Sequence, residues 1–435
     1  MINTAEVYLW GTRIGIIHQD KDKNYISFEY DKRFLDSGIE VSPLKMPLSG
    51  RVFSFPELAG NAFHGAPGLV ADSLPDKFGN RVIECWLSEQ GRSLSDFNAI
   101  DRLCYTGKRG MGALEYHPVS GPDLALGEDV NVSKMVKFAS YILAGKNNQV
   151  IKSTDDQDYS QLIRLGTSAG GARAKALIAW NEEKKLIKSG QIDAGNGYEY
   201  WLLKFDGVNK NGDHELEDEV EYTRIEYAYS LMAKDSGIRM SDCRLFEENG
   251  RYHFMTKRFD RVQNQKLHMQ TLGALAHIDY NLPGQTGYEE AAEITMRLTN
   301  SAADVAELYR RMVFNVIMVN QDDHVKNIAF LMNKRGEWIL APAYDLTFSY
   351  NPDNTWLRAH QMRINGKTEE ITHSDLIASG KTMGLNKAKC EKIIEQIYNV
   401  AEKFSDYLHR SGVSDRTISM LTSVLENNRN VNNGA

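Results

Sequence analysis

Asp322 and Asn327 stand five residues apart in the polar run Asn320-Gln321-Asp322-Asp323-His324-Val325-Lys326-Asn327, and Asp345 follows after a short apolar stretch. That spacing suits phosphoryl transfer. One carboxylate orients an attacking hydroxyl and takes its proton, an amide five residues on lends oxygen to Mg²⁺, and a later carboxylate is the main metal ligand. A hard cation demands oxygen donors, and Asn327 with Asp345 supplies them without over-neutralising it. Read singly, each acid is better explained as a solvated loop residue, and only the combination points to a site.

The elements around them sharpen the reading. Val305, Leu308, Met312, Val313, Val316 and Ile317 recur at i, i+3, i+4 and predict a helix over 304–319 with one buried face. A strand over 328–332, a turn over 333–336 and a strand over 338–340 follow the polar loop, and Ala341-Pro342-Ala343-Tyr344 leads to Asp345. Polar groups crowded between an apolar helix and an apolar hairpin belong in a cleft. Helix, acidic loop, hairpin, Asp is also the order in which protein kinases present their transfer groups. Spacing alone does not identify a kinase.

Two upstream features fit the same scheme. Lys204 lies within the apolar strand Trp201-Leu202-Leu203-Lys204-Phe205, where a lysine must snorkel or find an anion. A nucleotide phosphate and a helix carboxylate would serve. Glu226 is the natural partner and Glu221 its competitor; an edge-strand lysine facing water is the inert alternative. The loop Gly166-Thr167-Ser168-Ala169-Gly170-Gly171-Ala172-Arg173-Ala174-Lys175 sets small residues between two strands. Its backbone N–H groups suit close approach to phosphate, with Arg173 or Lys175 adding charge. It lacks the Gly-Lys-Ser/Thr ending of a Walker A loop, and alone it reads equally as a hairpin loop.

The rest of the chain supplies a scaffold. A strand meander is expected over the first three β-rich runs, split by Gly11-Thr12 and by residues 20–24. Asp76 caps a helix over 77–87, Gly107 to Leu114 forms a glycine-rich turn leading to a strand, and 118–128 is a Gly/Pro-bearing boundary. A helix over 134–143, strands over 162–165, 176–180, 198–206 and 254–259, and a helix over 223–235 closed by Gly237 follow. Beyond about residue 269 the pattern is helical to the end, interrupted near 328–348, with the Asn-rich tail 427–433 expected to fray. The expected class is α+β in a protein-kinase-like two-lobe arrangement. The divisions are a β-rich N-terminal part over 1–125, an N-lobe over 126–265 and a helical C-lobe over 266–435.

Composition bounds the class. The chain has 435 residues, 42% apolar and 25% charged, enough for two or three cores. Net charge of −7 argues against a dedicated nucleic-acid binder, though not against DNA contact through a partner. The cysteines Cys85, Cys104, Cys243 and Cys390 show no CxxC pairing, which disfavours zinc or a disulfide framework and suits a reducing cytoplasm. No apolar run approaches a membrane span and the start carries no signal-peptide pattern, so a cytoplasmic protein without membrane contact is expected.

Taken together, several motifs resemble the HipA family, kinase toxins of type II toxin–antitoxin modules. They are Ser168 to Lys175, the Lys204 strand, Lys257-Arg258-Phe259-Asp260-Arg261, Asp322-Asp323-His324-Val325-Lys326-Asn327 and Ala343-Tyr344-Asp345-Leu346. Leu74-Pro75-Asp76 and Arg109-Gly110-Met111-Gly112-Ala113 resemble that family's amino-terminal domain, so the similarity runs over nearly the whole chain, in order.

The resemblance implies a serine/threonine protein kinase using ATP and Mg²⁺, with Asp322 catalytic and Asn327 and Asp345 on the metal. Gly170, Gly171, Ala172, Arg173, Ala174, Lys175 and Lys204 would approach phosphate; Lys257, Arg258 and Phe259 would form the hinge beside adenine. His324, Lys326 and Tyr344 would lie near the nucleotide. Ser168 matches an autophosphorylated serine whose added charge would switch the enzyme off, with Thr167 adjacent. Implied partners are a HipB-like helix-turn-helix antitoxin, operator DNA through it, and a protein substrate such as glutamyl-tRNA synthetase, whose modification stops translation. Asp323 departs from a common glycine at that position; the spacing to Asn327 favours Asp322 as the base. A small-molecule kinase on this scaffold and a non-catalytic co-repressor are the competing readings; the intact Lys204, Asp322, Asn327 and Asp345 set weighs against the latter.

Overall fold

The computed structural model describes residues 1–60, 62–122, 131–143, 173–191, 193–208, 221–262 and 264–432. The chain divides into two compact units. One comprises residues 1–223, 244–270 and 333–336; the other comprises 224–243, 271–332 and 337–435.

The first unit holds two five-stranded sheets. β1 (Thr4–Leu9), β2 (Thr12–His18), β3 (Ser27–Tyr30), β4 (Phe53–Ser54) and β5 (Leu114–His117) are ordered β4-β3-β2-β1-β5, antiparallel throughout. Ala5, Val7 and Leu9 alternate inward along β1, the period-2 pattern of a half-buried strand. Gly15 permits the meander to close, because a Cβ there would lie 2.4 Å from the Glu29 carbonyl oxygen.

β6 (Lys175–Asn181), β7 (Leu186–Ser189), β8 (Glu199–Lys204), β9 (Cys243–Glu248) and β10 (Arg251–Lys257) form the second sheet, ordered β7-β6-β8-β10-β9. Short strands β11 (Arg261–Val262), β12 (Gln265–Lys266) and β13 (His268–Thr271) follow. Of the helices α1 (Lys32–Leu35), α2 (Gly68–Ala71), α3 (Lys77–Glu89), α4 (Ala99–Thr106) and α5 (Val132–Leu143), α3 and α5 cover the second sheet. Phe78, Val82, Val136 and Ile142 meet Ile178, Trp201, Leu203 and Met255 in one apolar cluster. The Asp76 carboxylate accepts the Gly79 N–H at 2.6 Å and starts α3, as its sequence position predicts.

The second unit is mainly helical. α6 (Tyr222–Asp235) is followed by α7 (Leu272–Ala276), α8 (Tyr288–Thr299) and α9 (Ala302–Ile317). Next come the hairpin of β14 (Ala329–Met332) and β15 (Trp338–Leu340), then α10 (His373–Thr382), α11 (Lys387–Ala401), α12 (Phe404–Arg410) and α13 (Asp415–Asn432). α9 is its axis and packs on α8, α11 and α13. Leu308, Tyr309, Met312, Val313 and Phe314 are fully buried. Each such side chain contributes roughly 1.5–3 kcal/mol relative to exposure. Gly237, at φ 77°, ends α6 in the left-handed conformation that favours glycine.

Several expectations need correction. The Asn-rich tail does not fray within the described residues: Leu421 and Leu425 anchor α13, which runs to Asn432. The Asn428 side-chain amide donates to the Val316 carbonyl at 2.8 Å. α9 is buried nearly all round rather than on one face, because Asp304, Glu307, Arg311 and Asn315 on its remaining sides are buried too. α4, β7 and β9 stand where the sequence reading placed no element. Residues 349–372, expected to be helical, contain no helix.

Candidate active site

The loop that follows α9 begins under strain. Val319 has φ 57°, an outlier for a β-branched residue. Its surroundings over-determine it: Asn320 N–H donates to the Asn315 carbonyl at 2.9 Å, Ser349 N–H to Val319 at 3.0 Å, and Gln321 N–H to Ser349 at 2.8 Å. The chain therefore turns abruptly out of α9 with residues 320–323 clamped between the helix end and Ser349.

Asn327 closes the loop. Its side-chain N–H donates to the Asp322 carbonyl at 2.8 Å, across the five-residue span. Donation to a carbonyl fixes the orientation of the amide and turns its oxygen away from Asp322. An amide oxygen so directed fits the donor chemistry of Mg²⁺, which takes carboxylate and carbonyl oxygens.

The two adjacent acids have separate environments. The Asp322 side chain is 39% exposed; its Oδ1 accepts the Trp356 indole N–H at 2.8 Å and lies 3.8 Å from His324 Nε2. The Asp323 side chain is fully buried. It accepts the Tyr288 hydroxyl at 2.9 Å and the Gln361 N–H at 2.7 Å, and meets His360 Nδ1 at 3.0 Å. Asn315 donates to the Tyr288 hydroxyl and thereby ties the cluster to α9. A carboxylate enclosed in this way has no room for an incoming hydroxyl. Asp323 holds the loop from beneath, and Asp322 is the acid that faces outward.

The run before Asp345 is tied to α9 by a chain of polar contacts. Glu307 accepts from Arg311 Nε and from the Arg239 N–H, each at 2.9 Å. Arg311 in turn donates to the Ala341 carbonyl at 2.7 Å, and Ala343 N–H to the Arg239 carbonyl at 2.7 Å. Asp304 accepts the Leu340 N–H at 3.2 Å. The run from 340 to 343 is thus fixed on both sides before Asp345, which adopts φ 58°, a conformation that Asp tolerates better than most residues. The Tyr344 hydroxyl donates to the Lys326 carbonyl, so the segment before Asp345 also touches the Asp322 loop. Lys326 lies over the Tyr280 ring at 4.5 Å, and the His324 ring packs 5.6 Å from Tyr280 and 6.3 Å from Trp356.

The first unit carries the other expected groups. Lys204 on β8 is buried and donates to the Tyr222 hydroxyl at 3.3 Å, while the Arg173 guanidinium stacks on the same ring. Lys175 is the register partner of Lys204 on β6, so the two face the same side of the sheet. The Lys175 ammonium lies 3.5 Å from the Asp76 carboxylate. Ala174 is buried beside it. Ser168, Gly170, Gly171 and Ala172 lie outside the described residues, as does Thr167. Glu226, on α6 in the second unit, is buried.

The expected hinge residues differ among themselves. Lys257 is half-exposed and pairs with Glu199. Phe259 is half-buried. Arg258 is fully buried, donating to Asp260 through Nε at 2.9 Å and to the Gly190 carbonyl at 3.1 Å. Its side chain is therefore structural, and its backbone N–H donates to the Tyr200 carbonyl at 2.8 Å. Burial alone would push the Asp260 carboxyl up, but Arg258 and Arg261 outweigh it and hold it well below the usual carboxylate range. Asp260 also accepts the Gly112 N–H at 2.7 Å, while Arg261 donates to the Gly112 carbonyl at 3.0 Å.

Sequence reasoning missed Trp356, Tyr288, His360 and Gln361. Tyr288 sits on a helix far upstream, and the other three lie in the irregular 349–372 segment. A Trp next to the turn formers Asn351-Pro352-Asp353-Asn354 was the one available signal.

Comparison with known proteins identifies the family and the fold. Residues 5–117 match the HipA N-terminal domain and residues 167–404 the HipA-like C-terminal domain. A protein of Sinorhizobium fredii named "Putative kinase Y4mE" is 30% identical over 404 residues, spanning 87% of this chain and 84% of its own. A "Putative kinase" of Haemophilus influenzae is 27% identical over 241 residues, 48% of this chain and 70% of its own. HipA of Shewanella oneidensis MR-1, solved in complex with HipB and operator DNA, superposes with a TM-score of 0.61. That match covers 98% of this chain and 95% of the other at 15% identity, a likeness of fold that makes this α+β architecture kinase-like. The two domain matches in order, together with the long match at 30% identity, establish that this chain is a member of the HipA family of kinases.

Proposed function

We propose that the chain is a non-specific serine/threonine protein kinase acting as the toxin of a toxin–antitoxin module. ATP is the phosphoryl donor and a protein hydroxyl the acceptor. Asp322 orients that hydroxyl and accepts its proton. Asn327 and Asp345 hold Mg²⁺, which when bound neutralises charge on the phosphate oxygens. Lys204, backed by Glu226, binds phosphate, and the loop Gly170 to Lys175 covers it. The backbone of Lys257 to Phe259 borders the base, with His324, Lys326 and Tyr344 beside the nucleotide. Autophosphorylation at Ser168 would add negative charge to the loop over the phosphates and so oppose ATP binding.

One observation carries the reading. The Asn327 amide is locked onto the Asp322 backbone, which turns its oxygen away from that carbonyl, while the Asp322 carboxylate stays accessible and its neighbour Asp323 is buried. The division of labour that phosphoryl transfer needs is thus built into six residues. A helix-turn-helix antitoxin that also brings operator DNA is the expected regulatory partner, by analogy with the Shewanella complex. The expected target is a component of translation such as glutamyl-tRNA synthetase, in the cytoplasm. Among the described residues no helix is long and apolar enough to cross a membrane. Residues 1–125, 126–265 and 266–435 serve as N-terminal subdomain, N-lobe and C-lobe.

The test is direct. Asp322→Gln should lower ³²P transfer from [γ-³²P]ATP by at least ~100-fold, the usual scale of a lost general base, while Mg²⁺-ATP still binds. Asp345→Asn should instead weaken Mg²⁺-ATP binding itself. Parent-level transfer by the Asp322 variant would overturn the assignment.

A further inference from the structure

The segment after Asp345 is fastened to the Asp322 loop, and at one point it reaches the outward carboxylate itself. The Trp356 indole N–H donates to Asp322 Oδ1 at 2.8 Å. Trp356 is held for this purpose from several directions. Its backbone N–H and that of Leu357 donate to the Asn354 side-chain oxygen at 2.8 and 3.1 Å, forming a tight turn. Its carbonyl accepts from the Gln361 side chain, whose own backbone N–H donates to Asp323 at 2.7 Å. The ring is half-buried and packs near His324. A single indole is therefore aligned on one oxygen of a carboxylate that keeps 39% of its surface exposed.

From this geometry we propose that Trp356 is a positioning residue for phosphoryl transfer: its indole N–H engages Asp322 Oδ1 and fixes the orientation in which the carboxylate meets the acceptor hydroxyl. The inference rests on the kinase reading above. Even on a clamped backbone, a carboxylate side chain without a fixed donor presents either oxygen and samples several rotamers. A donor fixed by packing and by its own hydrogen-bonded turn removes that freedom before the acceptor arrives. In the step itself, the acceptor oxygen bonds to the γ-phosphorus as the bond from that phosphorus to ADP breaks. The hydroxyl proton passes to the Asp322 carboxylate, which keeps its bond to the indole. Because Trp356 acts through Asp322, its removal should slow transfer and leave nucleotide binding alone. Residues 349–361 thereby become part of the acceptor side of the site.

The experiment uses the full chain with Mg²⁺ and [γ-³²P]ATP, taking dephosphorylated casein and the chain itself as acceptors, and a fluorescent ATP analogue for binding. Trp356→Phe keeps the apolar ring and deletes the donor; it should slow transfer about tenfold or more, with the analogue's Kd unchanged within about twofold. Trp356→His restores a ring N–H of similar reach and should recover most of the lost rate. Trp356→Phe transferring at the parent rate overturns the proposal. So does Trp356→His being as slow as Trp356→Phe, since the ring would then act by packing alone. A parent chain that binds Mg²⁺-ATP yet labels neither acceptor overturns the kinase reading instead, which separates the two failures.

Discussion

Asp323 accepts from the Tyr288 hydroxyl and the Gln361 backbone in a fully buried pocket, one residue from an acid that faces outward. Spacing to Asn327 pointed to Asp322 in the sequence, because a five-residue interval can be counted. The role of Asp323 could not be counted, since Tyr288 and Gln361 lie 35 and 38 residues away along the chain. The physical difference predicts opposite consequences. Asp323→Asn replaces an acceptor-only group by one with a single acceptor oxygen, and at least one buried partner loses its bond. The expected cost is about 2–4 kcal/mol of folding stability, read as a lower urea midpoint. Asp322→Asn, on a half-exposed side chain, should stay within ~1 kcal/mol of the parent while transfer is lost. Equal destabilisation by both variants would contradict the separation of structure from chemistry at this pair.

At the scale of elements, α9 was legible because apolar residues recur with helical period, and β15 because Trp338–Leu340 sits between a turn and a proline-bearing run. The polar side of α9 was not legible. Asp304, Glu307 and Arg311 read as a solvent face, yet they carry the contacts that fix residues 340–343 ahead of Asp345. The same blindness applies to Arg258-Phe259-Asp260-Arg261. Resemblance marked the run as functional, and the structure shows two guanidinium groups sharing one buried carboxylate. Asp260→Asn would leave both cations enclosed without their counter-charge, at a cost of about 3–5 kcal/mol. The pH dependence has a definite sign. The folded carboxyl titrates below its ordinary value of 3.8, so Asp260 contributes stability above that pH and loses it as pH falls further. Acid titration of the parent and of Asp260→Asn by circular dichroism should show a transition below pH ~4 that the variant lacks.

For the molecule as a whole, the sequence places a subdomain boundary within residues 118–128, and residues 5–117 match one family domain. Within the first unit, however, that part is closed by a segment far downstream. Trp10 Nε1 donates to the Lys266 carbonyl at 2.6 Å, Lys266 pairs with Glu115 at 3.0 Å, and Arg261 reaches the Gly110 and Gly112 carbonyls. His268 completes the seam, its ring Nε2 3.2 Å from the Val41 carbonyl. Contacts spanning well over a hundred residues leave no local signal, which is why this clasp was not legible in the sequence. The clasp should be acid-sensitive. Burial pulls the His268 imidazole from 6.5 down to about 4, with the Val41 carbonyl opposing only in part. Between those values the unfolded chain binds a proton that the folded chain refuses, so stability is full above pH 6.5 and falls as pH drops toward 4. At pH 5 the loss attributable to His268 is about 2 kcal/mol. His268→Asn keeps an N–H for Val41 and removes the titration. Its melting temperature should therefore change less between pH 7 and pH 5 than the parent's does, as followed by calorimetry. If parent and variant lose the same number of degrees over that interval, the clasp is held by groups other than His268.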